Sequence, residues 1–129
     1  MARKNYRLEY SLGKVSASQM WLMVSTEKGL SCWIDARVEL EHDIATFNWS
    51  ETSADSARVC IKQPLYNIRY EWLDEEGGFE FLIQISEITK ELTLVILDEC
   101  EDEDYECNLL IWKRQIAALY RHLGLPSYM

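Results

Sequence analysis

The sequence contains few of the residues from which metal sites and catalytic centres are built. Of its 129 residues only His42 and His122 are histidines, and its four cysteines include no Cys-x-x-Cys pair. Zinc sites draw their ligands from such close pairs, so we predict no metal site. Glycine-rich phosphate loops and the Gly-x-Ser-x-Gly and His-Glu-x-x-His motifs are also missing. We therefore predict no catalytic residue and no cofactor.

Long hydrophobic runs and export signals are missing as well. The first residues are basic, but they lead into alternating polar and apolar residues instead of an apolar stretch, which argues against a secretory signal. No apolar run approaches the roughly 20 residues that a membrane-spanning helix requires. We therefore expect a cytoplasmic protein with reduced thiols and no membrane span.

Positive charge is scarce. Thirteen lysines and arginines stand against 22 aspartates and glutamates, which gives a net charge of −9. Because nucleic-acid binding depends on clustered cations, we exclude nucleic acid as a partner. The acids concentrate at residues 98–106, where seven of nine side chains are acidic. We interpret this segment as an acidic loop and as the candidate contact for a basic protein partner.

Apolar residues are abundant enough for one domain over residues 1–129. They make up 48% of the chain, and aromatic residues make up 12%. A chain of this length buries about two-thirds of the surface that its unfolded form exposes, so a core is available without disulfides or metals. No linker and no internal repeat divides the sequence.

The first third of the chain predicts a strand followed by two short helices. Residues 6–12 alternate between apolar and polar side chains, which is typical of a half-buried strand. Ser16 is a suitable cap for a first helix. Ser25 or Thr26 can cap a second one, and we expect Gly29 to end it.

The remainder of the chain predicts a run of strands and one long helix. Short connectors between the strands favour an antiparallel sheet, because parallel neighbours require long crossovers. From Tyr105 onward, apolar residues recur at spacings of four and three up to Leu123, which predicts a helix with one apolar face. The predicted strands are residues 36–40, 44–49, 56–62, 67–73, 79–85 and 91–97. The pattern therefore predicts an α+β domain with helices on one face of a sheet.

Four segments of the chain are distinctive in this order. Residues 25–33 read Ser-Thr-Glu-Lys-Gly-Leu-Ser-Cys-Trp, residues 47–49 and 68–72 are aromatic-rich strands, and residues 110–119 lie in the predicted long helix. These segments resemble the threonine, Gly-Leu and tryptophan segment, the aromatic mid-sheet strands and the C-terminal helix of the START-like (SRPBCC) family, in particular of its branch near the heat-shock-protein-90 ATPase activator homologues. The homologues often carry Gly-Trp before that helix, whereas this chain has its acidic segment there.

The resemblance implies a helix-grip fold, in which a sheet of about seven strands wraps around the long C-terminal helix. It also implies an apolar cavity between sheet and helix that can hold a hydrophobic small molecule or lipid. Because the sequence lacks catalytic motifs, we expect a binding protein and not an enzyme. The residues alone do not separate a lined cavity from a filled core, because both place the same side chains inward. By this resemblance the ligand-binding residues are Phe47, Trp49, Tyr70, Trp72, Phe81, Ile83, Trp112, Ile116 and Leu119.

Two other functions remain open at this point. The chain is a candidate chaperone-cofactor-like interaction module that uses its acidic segment to attract a basic partner. The third candidate is a cyclase-type enzyme. It requires a titratable side chain inside the cavity, and Tyr70 and Glu80 are the candidates.

Overall fold

Each segment with period-two hydrophobicity forms a strand of one antiparallel sheet. The computed structural model describes residues 2–126. The seven strands lie in the order β1-β7-β6-β5-β4-β3-β2. They are β1 (Arg3–Gly13), β2 (Arg37–Glu41), β3 (Ile44–Asn48), β4 (Ala54–Gln63), β5 (Asn67–Trp72), β6 (Gly78–Ile85) and β7 (Leu92–Glu101).

Three helices cover one face of this sheet. They are α1 (Ala17–Ser25), α2 (Glu27–Trp33) and α3 (Tyr105–Leu123). Ser16 caps α1, since its hydroxyl accepts a hydrogen bond from the Gln19 amide at 3.1 Å. Thr26 caps α2 in the same way and accepts from the Gly29 amide at 2.9 Å. Both predicted helix starts are confirmed, with Thr26 as the second cap.

The core lies between the helices and the sheet face that they cover. From α3, Trp112, Ile116 and Leu119 are buried, and from α2, Leu30 and Trp33 are buried. The sheet contributes the inward side chains of alternate residues, in agreement with its period-two pattern. The predicted α+β helix-grip architecture, a seven-stranded antiparallel sheet around a long C-terminal helix, is therefore confirmed.

The expectation that Gly29 ends the second helix is wrong. Helix α2 continues past it to Trp33. Gly29 is buried where α2 approaches α1, and a Cβ atom placed on it would lie 1.9 Å from the carbonyl oxygen of Leu22. A close approach between two helices therefore accounts for this glycine, and the local sequence does not reveal that approach.

The expectation that residues 98–106 form a loop is also wrong. Residues 98–101 belong to β7, where Asp98 lies opposite Tyr6 and Glu101 lies opposite Arg3 of β1. Residues Asp102–Asp104 then form a single 3₁₀ turn that leads directly into α3. Residues 98–101 stay extended because residues 3–6 of β1 pair with them.

Within residues 2–126, no helix combines the length and the apolar character needed to cross a lipid bilayer.

We predict that Gly29→Ala destabilises the fold by about 3 kcal/mol, because the new methyl group would overlap backbone atoms of α1. Gly13→Ala is the control: its φ of +68° is unfavourable for alanine, but no atom lies within 4 Å of the new Cβ. We expect it to cost about 1 kcal/mol. Urea unfolding of both variants measures the difference, and equal losses would argue against the close helix contact.

Candidate functional site

The centre of the space between sheet and helices is occupied by aromatic rings. Phe47, Tyr70 and Phe81 are fully buried. The Tyr70 ring lies 5.8 Å from that of Phe47 and 6.2 Å from that of Phe81, measured between centroids, and both contacts are edge-to-face. Such contacts are favourable for aromatic pairs. Three of the nine predicted lining residues therefore pack against one another.

Two polar atoms in this centre are bound to the backbone of α1. The Tyr70 hydroxyl donates to the carbonyl oxygen of Val24 at 2.5 Å, and the Trp33 indole donates to that of Met23 at 2.9 Å. Burial raises the pKa of the Tyr70 hydroxyl above its ordinary value. These bonds hold the rings in place.

The other predicted lining residues fall into three groups. Ile83, Ile116 and Leu119 are buried in the core beside the central rings. Trp49 lies just after β3 with 37% of its surface exposed, and its indole donates to Asp55 at 2.7 Å. Trp72 and Trp112 lie together at an opening of the core.

This opening is a cleft of about 630 Å³ between the β5–β6 turn, the end of β7 and the first half of α3. Trp72, Phe79 and Trp112 line it. The Phe79 ring lies 5.6 Å from that of Trp72 and 5.8 Å from that of Trp112. Ile111, 40% exposed, adds an aliphatic side chain from α3. The three rings form one apolar surface, which we call the aromatic floor of the cleft.

Asp98 places a carboxylate beside this floor. One of its oxygens, Oδ2, accepts hydrogen bonds from the Tyr6 hydroxyl at 2.6 Å and from the Trp112 indole at 2.8 Å. Its other oxygen, Oδ1, accepts from the Glu99 amide at 2.8 Å. Burial raises the pKa of the Asp98 carboxyl above its ordinary value, although these three donors act in the opposite direction. The side chain thus connects β1, β7 and α3 at the edge of the cleft.

The rim of the cleft is strongly acidic. Among residues 2–126, Arg3 is the one basic side chain that lines it, and Arg3 lies 3.4 Å from the Glu99 carboxylate. Glu99 also lies 3.4 Å from Arg69. Seven carboxyl groups line the cleft: Glu75, Glu76, Asp98, Glu99, Glu101, Glu103 and Asp104. The acidic segment and the β5–β6 turn therefore meet at one opening, which gives it a negative potential.

Sequence reasoning missed Asp98, Phe79 and Ile111 as residues of this site. Phe79 continues the alternation of Phe81 and Ile83 along β6, so its inward position was visible in the pattern. Asp98 likewise follows Ile96 at a spacing of two along β7, but it lies inside the acidic segment. Composition thus concealed an inward-facing carboxylate that periodicity would have located.

Glu80 does not lie in the interior between sheet and helices, contrary to the expectation for an enzyme. It points to the opposite face of the sheet from Phe79 and Phe81, where its carboxylate accepts a hydrogen bond from the Asn67 amide at 2.5 Å. Arg69 lies 3.6 Å from it. Its burial reflects an ion-paired network on the outer face.

The family model for the START-like superfamily domain matches residues 1–125. The chain belongs to the START-like superfamily. Among curated protein sequences, none matches it.

Several solved structures have a similar fold over nearly the whole chain. A Bacteroides fragilis protein solved by NMR is 28% identical, with 99% of this chain and 96% of that one aligned and a TM-score of 0.66. The Aha1 dimer of Colwellia psychrerythraea is 15% identical, with 92% and 93% aligned and a TM-score of 0.68. A Mesorhizobium loti protein is 10% identical, with 94% and 97% aligned and a TM-score of 0.75. The last two show a shared fold.

We predict a pH-dependent difference in stability between the wild-type protein and Asp98→Asn. Because the pKa of Asp98 is raised in the folded state, that state binds more protons than the unfolded chain at pH values above about 3.9. The free energy of unfolding of the wild type, relative to the variant, should therefore fall as pH rises through this range. Each tenfold difference in proton affinity contributes about 1.4 kcal/mol.

Urea unfolding of both proteins between pH 4 and pH 8 measures this difference. The remaining carboxyl groups titrate in both proteins and cancel in the comparison. A difference in stability that stays constant across the range would contradict a raised pKa at Asp98.

Proposed function

We propose that this START-like protein binds a hydrophobic small molecule in the cleft between its sheet and α3 and does not catalyse a reaction. START-like domains commonly bind hydrophobic ligands. The observation that carries the proposal is the aromatic floor: the rings of Trp72, Phe79 and Trp112 border an opening of about 630 Å³. The volume lies in the range of small-molecule sites, and the lining combines these rings with seven carboxyl groups.

The nine residues expected to bind ligand take different parts in this proposal. Trp72 and Trp112 contact the ligand directly, together with Phe79 and Ile111. The buried set supports the floor from behind, because its rings and aliphatic side chains hold Phe79 and Trp112 in place. That set is Phe47, Tyr70, Phe81, Ile83, Ile116 and Leu119. Trp49 supports the floor indirectly by stacking on Phe47, with 5.6 Å between the ring centroids.

The hydrogen bonds made by Tyr70 and Asp98 favour ligand binding over cyclase-type catalysis. The Tyr70 hydroxyl donates to a backbone carbonyl, so its proton already has an acceptor within the fold. Both oxygens of Asp98 already have donors within the fold: Oδ2 accepts from Tyr6 and Trp112, and Oδ1 accepts from the Glu99 amide. Both groups therefore fit a structural role better than proton transfer.

A protein-interaction role is the second candidate. Asp102, Glu103, Asp104 and Glu106 are all exposed around the start of α3, where they can attract a basic partner over a distance. This contact would weaken as ionic strength rises, because exposed charges are screened by salt. Binding of a neutral apolar molecule in the cleft would not show that dependence, so the two functions are separable.

We predict that the neutral fluorescent probe diphenylhexatriene binds the protein and that Ile111→Gln weakens this binding about fivefold. The loss corresponds to about 1 kcal/mol, as expected when part of an aliphatic contact is replaced by an amide. Leu110→Gln is the matched control: Leu110 is the preceding residue of α3, is 67% exposed and does not line the cleft. Probe fluorescence, titrated against protein concentration, gives the three dissociation constants.

Leu110→Gln should bind the probe as the wild type does. Equal weakening by both substitutions would place the probe outside the cleft. A wild-type protein that does not raise the probe's fluorescence would argue against the proposed function itself.

A further inference from the structure

We propose that the ligand of this cleft is a small organic cation, a hydrophobic and preferably aromatic molecule that carries one protonated or quaternary amine. The inference rests on the proposed function, because it names the class of ligand for the same cleft. Three features support it: the charge around the opening, the position of Asp98 beside the rings, and the arrangement of the rings themselves.

The charge around the opening is far from balanced. Seven carboxyl groups line the cleft, and Arg3 is its single basic side chain. The guanidinium of Arg3 lies 3.4 Å from Glu99, so its charge is already compensated by one of the seven. An anionic ligand would meet repulsion from the remaining acids, whereas a cation would be attracted to the opening.

Asp98 places one of these negative charges directly beside the aromatic floor. Its carboxylate is held by Tyr6 and by the indole of Trp112, one of the three rings of the floor. A partly buried carboxylate gains more from a nearby positive charge than an exposed one does, since water screens the pair less. An amine seated against the Trp112 ring would lie close to this carboxylate.

The rings offer the second contact that an ammonium group prefers. The planes of Phe79 and Trp112 meet at 67° and those of Trp72 and Phe79 at 52°, so the three rings are not parallel, and Trp72 is the one of them that is partly exposed. The face of an aromatic ring attracts a cation within about 6 Å, and sites for quaternary ammonium groups are commonly built from several such faces.

The acids are arranged for an organic cation and not for a metal ion. In the part of the chain from residue 2 to residue 126, no three histidine, cysteine, aspartate or glutamate side chains converge closely enough to hold a metal ion. Calcium and magnesium gather six or more oxygen ligands around one point, several of them from protein side chains or water. Carboxylates distributed around the aromatic floor suit a larger ion whose charge is shared over several atoms.

Three probes with the same diphenylhexatriene body test this inference: the neutral parent, its trimethylammonium derivative and its propionic acid derivative. At low ionic strength we expect the cationic probe to bind about tenfold more tightly than the neutral one. The anionic probe should bind more weakly than the neutral one. The preference for the cation should decrease severalfold in 0.5 M salt.

Two double variants with the same change in net charge localise the effect. Glu76→Gln with Glu103→Gln removes two exposed carboxylates from the rim, and we expect it to reduce the cationic preference about threefold to fivefold. Glu39→Gln with Glu41→Gln removes two exposed carboxylates from β2, outside the cleft. This control should retain the preference of the wild type.

The outcomes separate the ligand class from the proposed function. If the neutral probe binds in the cleft but the cationic probe binds no more tightly, the cation inference is overturned and the proposed function stands. An equal loss of preference in both double variants would also overturn it, because the attraction would then belong to the whole protein. If none of the three probes binds, both proposals fail.

Discussion

The Asp98 carboxylate connects three elements on which the cleft depends. It extends from β7, and its Oδ2 atom accepts hydrogen bonds from Tyr6 of β1 at 2.6 Å and from Trp112 of α3 at 2.8 Å. Withdrawing a carboxylate from water is costly unless donors replace the lost hydration, so the two donors are held where the carboxylate requires them. At the edge of the cleft, this side chain therefore joins the first half of α3 to the sheet.

The centre of the domain is packed, whereas the cleft beside Asp98 is open. In the centre, Tyr70 is bound to the backbone of α1 and its ring is surrounded by those of Phe47, Phe79 and Phe81. Packed rings of this kind stabilise the sheet against the helices. At the opening, Trp72 remains partly exposed beside a cleft of about 630 Å³. The proposed ligand site is therefore this cleft, while the centre of the domain is packed as core.

Much of this fold was visible in the sequence, because two periodicities determine it. The spacing of Phe79, Phe81 and Ile83 located β6, and that of Trp112, Ile116 and Leu119 located α3. The role of Gly29 was not visible, since it depends on how closely α2 approaches α1. The site was only partly predictable: alternation indicates which side chains point inward, but packing decides whether rings fill a space or border it. Asp98 was concealed for a different reason, because its acidic neighbours suggested a loop.

The central claim is that a ligand binds in the cleft and leaves the core of the domain undisturbed. The five tryptophans allow a direct test of it. Their indole N–H groups give separate NMR signals in a ¹⁵N-labelled protein, and two of them, those of Trp72 and Trp112, belong to residues that line the cleft. On titration with 4-phenylbutylamine, protonated at neutral pH, the account predicts shifts of these two signals. The signal of Trp33, whose indole is bound to Met23 in the core, should stay in place. A shift of the Trp33 signal as large as that of Trp112, or no shift of Trp72 and Trp112 at saturating amine, would contradict it.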